Sequence, residues 1–276
     1  MPGRSGAWPC RYAGRVKPAL GTSVLARPCC QLRLVLTAAL LLFAALGGIG
    51  NAQAADDLPE LVFIAPTSNT LPLAEFEGNR LRAGILKDLG EAIAARLQRR
   101  ARFLPLPSKR VRAALRDGEA DGLCYVIPGW LDGKHDWSNV VIPDAALLAG
   151  TPQAPELEHL QALAGQAIGT VVGYRYPEVE AMLGSGFVRD DAPTMQANLR
   201  KLVAQRLPYA LAERTSLDYF LRQHPEAALK TVLNLGRIDA RCAFSRKARL
   251  PFQQVNQAID GLLADGSVER ILARYR

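Results

Sequence analysis

Gly173, Tyr174 and Arg175 lie in a turn whose residue types suit the capture of an anion. The stretch around them, QAIGTVVGYRYPEVEAML (residues 166–183), reads as a buried strand over 167–172, a tight turn at Gly173, and a helix from Pro177. Val171 and Val172 are β-branched, glycine enters positive φ without steric cost, and proline suits a helix's first turn. Backbone N–H groups at a helix start sit at the positive end of its dipole, where a carboxylate binds, and Arg175 adds a bidentate cation. The same pattern also fits a plain strand–turn–helix unit whose glycine only makes the turn.

The elements around that turn form two series. In the first, LVFIA (61–65) is a strand and 66–82 a polar loop. Ile85, Leu89, Ile93 and Leu97 recur every four residues as a helix; 102–106 is a strand, 108–117 a helix, and 120–127 a strand. This β-α-β-α-β order implies a parallel sheet with crossover helices. An aromatic loop (128–138) and an extended segment (140–150) follow. The second series has helices over 157–164, 177–183, 194–205 and 216–222, with strands at 167–172, 187–189, 209–212, 231–235 and 241–245. Two helices, 251–263 and 268–276, close the chain.

The first 54 residues read as a leader. Residues 1–33 hold six basic residues and no acidic one; an apolar run (34–46) follows, and Ala52-Gln53-Ala54 is a small-x-small cleavage signal. A retained anchor is the alternative, although the apolar stretch to Gly50 is only 17 residues and carries glycines. Six of the 34 basic residues leave with the leader, so 28 remain against 26 acidic ones, a net charge of +2 rather than +8. The high overall charge is therefore no argument for nucleic-acid binding. Cys10, Cys29 and Cys30 leave too. Cys124 and Cys242 remain, either as a disulfide in an oxidising compartment or as two buried thiols. His135, His159 and His224 are far apart, and neither a metal site nor a cofactor site is expected.

Five segments in order carry a resemblance: GILKDLGEAIAARL (84–97), LRDGEADGL (115–123), DWS (136–138), LAGQAIGTVVGYRYPEVE (163–180) and VNQAIDGLLADGSVERILARY (255–275). Together the mature chain resembles the periplasmic solute-binding proteins of polar amino-acid ABC transporters, the family 3 extracellular solute-binding proteins. The resemblance implies an α/β fold of two lobes joined by two hinge strands, with a ligand cleft between them (the type II periplasmic binding protein fold). Residues 55–148 and 239–276 would form the first lobe and 149–238 the second. Cys124 and Cys242 would then share a lobe, where a disulfide leaves the hinge free.

The resemblance also assigns roles. The amides of Gly173 and Tyr174 would take a ligand carboxylate, and Glu213, at a strand end, its ammonium. Glu213 also reads as an ordinary acidic residue at a helix N-terminus. The family's loop arginine is missing: IPGWLDGKHDWS (127–138) stands in its place. Lys134, or Arg110 or Arg112 from SKRVR, would substitute. Tyr125, Trp130, Tyr174 and Tyr176 would give the pocket aromatic walls, suited to ring stacking or a cationic ligand. The expected role is a monomeric periplasmic binding protein that hands a small polar solute to a membrane ABC permease, with no catalysis. A sensor without a transporter and an enzyme of the cyclohexadienyl dehydratase type are the alternatives, the latter using Glu213 as acid or base.

Overall fold

The computed structural model describes residues 58–276; the leader proposed for residues 1–54 lies outside them. The first half is organised around β1 (Glu60–Pro66), buried on both faces. It pairs in parallel with β4 (Arg100–Leu106) on one side and with β5 (Gly122–Val126) on the other. Strand alternation divides its side chains between two cores. Leu61, Phe63 and Ala65 face α1 (Ile85–Arg96), α6 (Phe252–Ala264) and α7 (Ser267–Ala273), whereas Val62 and Ile64 face α2 (Ser108–Asp117). The four-residue periodicity of Ile85, Leu89 and Ile93 is what fits α1 to that face.

The second half repeats the scheme. β8 (Ala167–Val171) pairs in parallel with β9 (Val188–Ala192) and with β10 (Tyr209–Glu213). One face packs against α4 (Met195–Val203) and α5 (Arg214–Gln223), the other against α3 (Pro177–Leu183) and a 3-10 turn at Leu160–Leu163. Two long antiparallel strands, β7 (Ile142–Gly150) and β11 (Lys230–Phe244), run between the halves. β11 joins β5 at one end, and β7 joins β10 at the other, so the strands run in the order β4-β1-β5-β11-β7-β10-β8-β9.

Three sequence expectations are corrected. The residues read as strands 231–235 and 241–245 form the single 15-residue β11. Its interior looks like a turn because Gly236, at φ +132° beside a register shift, is followed by the charged Arg237 and Asp239, yet the ladder to β7 continues through them. The polar loop 66–82 contains a hairpin, β2 (Glu75–Glu77) with β3 (Arg80–Ala83), too short and charged to show an apolar alternation. The helix expected over 157–164 is only the 3-10 turn, in which Leu160 and Leu163, three apart, share the buried side. In the loop before β7, the two-residue strand β6 (Asp136–Trp137) pairs with β11.

Cys124 on β5 and Cys242 on β11 are direct register partners and form a disulfide. Among the described residues, no helix is long and apolar enough to cross a membrane, and no group of three acidic, histidine or cysteine side chains could hold a metal ion.

Candidate functional site

A cavity of about 770 Å³ lies between the halves. It is walled by the C-terminal ends of β5 and β10, the start of α2, the loop after β5, and the turn between β8 and α3. Cavities at the carboxyl ends of strands between lobes are the usual place for a small-molecule site.

The β8–α3 turn is cross-linked by hydrogen bonds. Gly173 is at φ +80°, and the Tyr174 amide donates to the Val171 carbonyl at 3.1 Å. Arg189, reaching over from β9, donates to the carbonyls of Val171 (2.9 Å) and Tyr174 (3.0 Å), with its guanidinium 5.2 Å from the Tyr176 ring centre. The Val171 amide donates to the Tyr176 hydroxyl at 3.0 Å. The Tyr174 amide is therefore committed within the turn, which corrects its expected role as a carboxylate donor. The turn also touches the other half. A Cβ added to Gly173 would lie 3.1 Å from Ser108 Cβ and 3.2 Å from Lys109 Cγ. Gly173→Ala, which also forces a side chain into positive φ, is expected to oppose closure and weaken solute binding by about 1–2 kcal/mol, roughly tenfold, in a calorimetric titration.

Glu213 ends β10 and occupies the N-cap position of α5, but its side chain does not cap the helix. It is 6% exposed, and its nearest polar partner is the Ser216 hydroxyl at 3.3 Å. Among the described residues no lysine or arginine pairs with it. Burial, reinforced by the nearby Asp144 charge, raises its pKa to about 7. Asp144, on β7, takes the helix amide instead: its oxygens accept from the Thr215 and Ala145 amides (3.1 and 2.8 Å) and from the Tyr125 hydroxyl (2.6 Å). The two readings of Glu213 in the sequence thus meet in one residue, a helix-start carboxylate that is nonetheless buried on the cavity wall.

Aromatic rings from both halves line the same cavity. Tyr125 and Trp130 from the first half are paired with ring centres 6.3 Å apart, and Tyr174 and Tyr176 from the second at 6.4 Å. Burial holds the hydroxyl pKa values of Tyr125, Tyr174 and Tyr176 well above normal, and the Glu213 charge adds to the effect; all three line the same cavity as that carboxylate. Tyr125 is at φ +61°, an uncommon conformation for an aromatic residue and one concentrated at functional sites. The Tyr174 hydroxyl crosses to the first half and donates to Asn69 Oδ1 at 2.5 Å.

At the cavity's exposed side, Asp132 Oδ2 accepts from Arg112 (2.8 Å) and from Arg175 (2.6 Å), an ion triad linking the halves. Arg175 is thus part of the cavity wall but is held by Asp132. Two expected residues do not reach the cavity. Arg110 points away on the exposed face of α2, 3.6 Å from Glu119, and Lys134 is exposed in the loop after β5 and outside the lining. The helix turn of about 100° per residue brings Arg112, not Arg110, to the cleft. Of the residues singled out in the sequence, Arg112, Tyr125, Trp130, Gly173, Tyr174, Arg175, Tyr176 and Glu213 come together at the cavity. Asn69, Asp132 and Asp144 were not anticipated; Asp132 lies in the loop where the family arginine is missing, the one signal that pointed to it.

No family model matches the chain, and no curated protein matches it. Solved structures do. A histidine kinase sensor domain with similarity to periplasmic binding proteins aligns at TM-score 0.68 and 20% identity, over 80% of this chain and 97% of its own. An amino-acid ABC transporter substrate-binding protein from Streptococcus pneumoniae, bound to L-arginine, aligns at 0.65 and 16%, over 81% and 97%. An ancestral amino-acid-binding protein described as a precursor of cyclohexadienyl dehydratase aligns at 0.65 and 14%, over 78% and 95%. At these identities the likeness shows the fold: the chain has the two-lobed α/β fold of periplasmic binding proteins.

Proposed function

We propose that this is an exported solute-binding protein of the family 3 type, which captures a small amine-bearing solute, an amino acid or a related compound, for a membrane ABC permease. The observation that carries the reading is Glu213, a buried carboxylate without a basic partner on the wall of the interlobe cavity. A carboxylate removed from water is stabilised by a cation brought to it, and rings around it favour the same charge. The lobe limits are proposed near Leu148 and Ile238, on the two long strands, which would act as the hinge. Closure would follow from contacts that exist only when the lobes meet, such as Tyr174 to Asn69. The protein would act as a monomer in the periplasm.

A second reading is favoured by the same residue. A carboxyl group with a pKa of about 7 is suited to proton transfer at neutral pH, so the cleft would serve an enzyme of the dehydratase type. One experiment separates the two. Residues 55–276 are screened by thermal shift against amino acids, amines and organic acids, and hits are then assayed for turnover, with prephenate and arogenate included. The binding reading predicts a melting temperature that rises with solute concentration and no product. Product formation would replace it with the enzymatic one.

A further inference from the structure

The cavity's polar groups are arranged unevenly, and that unevenness narrows the solute. Its buried end is acidic: Glu213 lies there without a cation, with Asp144 near enough to raise its pKa. Apart from the Gly173 amide, which has no hydrogen-bond partner among the described residues, the groups that would receive a carboxylate are already engaged. The Tyr174 amide donates to Val171, the Tyr125 hydroxyl to Asp144, and the Tyr174 hydroxyl to Asn69. Arg112 and Arg175 both hold Asp132 Oδ2. Arg237, also on the lining, is 71% exposed and pairs with Asp239, and Lys109 reaches the lining from an exposed position.

A solute carboxylate placed beside an ammonium held by Glu213 would lie against aromatic rings and two acidic side chains. It would lose its water without gaining a buried cation, which disfavours binding. An ammonium group with an apolar or aromatic body meets none of that penalty. It finds a carboxylate at its charge and aromatic rings from both lobes around its carbons, the Tyr125–Trp130 pair from one and the Tyr174–Tyr176 pair from the other.

Resting on the reading of the cleft as a solute site, we propose that its solute is a small organic ammonium ion without a carboxylate, an amine rather than an amino acid. The test is isothermal titration of the mature chain at pH 8 with matched pairs that differ only by the carboxylate: tyramine and tyrosine, tryptamine and tryptophan, agmatine and arginine. The proposal predicts that in at least one pair the amine binds about tenfold tighter or more, the factor expected when an unpaired charge need not be buried. If the amino acid of every binding pair is bound as tightly as its amine or more tightly, the proposal is overturned while the solute-binding reading stands. If none of the six compounds binds, both are overturned.

Discussion

Glu213→Gln is expected to weaken binding of an ammonium solute about a hundredfold or more, the loss typical when one partner of a buried ion pair is neutralised. The same substitution is expected to stabilise the empty protein above neutral pH. Burial and Asp144 raise the Glu213 pKa from 4.5 to about 7, so the folded chain binds this proton more tightly than the unfolded chain does. For an acid raised in this way, stability is greatest below pH 4.5, falls as pH rises through the window to about 7, and is level beyond it. The difference amounts to about 3 kcal/mol at pH 8. Urea unfolding at pH 8 should therefore show Glu213→Gln more stable than the parent, with most of the gain gone at pH 5. The groups facing Glu213 are Asp144 on β7, Tyr125 on β5, and Tyr174 and Tyr176 in the β8–α3 turn. The three tyrosines stay protonated throughout the window, so its main titration is that of Glu213. A variant less stable than the parent at both pH values would show that the carboxylate is held by contacts other than those described.

Removing the Cys124–Cys242 bridge should have the second large effect. The disulfide closes a loop of 118 residues, which contains the whole second series of elements up to β11. For a loop of that length the lost chain entropy of the unfolded state corresponds to a stabilisation of about 2–5 kcal/mol. Cys124→Ala with Cys242→Ala should lower the melting temperature by roughly 5–15 °C. Both side chains are buried, so the alanines leave small gaps and no stranded polar atom. The bridge joins β5 to β11 one residue before Tyr125, so solute affinity should fall in the same variant. An unchanged melting temperature would mean that the neighbouring β5–β11 ladder already fixes this part of the sheet.

The sequence is most readable where one local signal decides the outcome. The four-residue rhythm of Ile85, Leu89 and Ile93 yields α1, and Gly118, in the left-handed conformation, ends α2 where Asp117-Gly118 marks the stop. Gly173 and Pro177 place the β8–α3 turn, and Glu213 falls at the end of β10. What stays hidden is set by contacts distant in sequence. β11 crosses Gly236 because β7 lies alongside, and nothing local in NLGRIDAR says so. Arg112 meets Asp132, and both meet Arg175, only after the halves come together. The Tyr174 amide looked available in the sequence because the closing bond to Val171 is a property of the folded turn. Arg110 and Lys134 suit the place of the missing arginine by charge alone, yet the loop without it carries an acid, Asp132, that holds the guanidiniums of Arg112 and Arg175.

Proton release on binding tests the Glu213 account most directly. The tightest solute from the amine and amino-acid panel is titrated calorimetrically at pH 6 and pH 8, each in two buffers of different ionisation heat. With its pKa at about 7, Glu213 is largely protonated at pH 6 in the empty protein, and pairing with an ammonium ionises it. The account predicts release of roughly one proton at pH 6 and little at pH 8, with affinity falling about tenfold per pH unit below 7. Buffer-independent heats at pH 6 together with an affinity flat across this range would contradict it, because the solute would then be bound without meeting the Glu213 carboxylate.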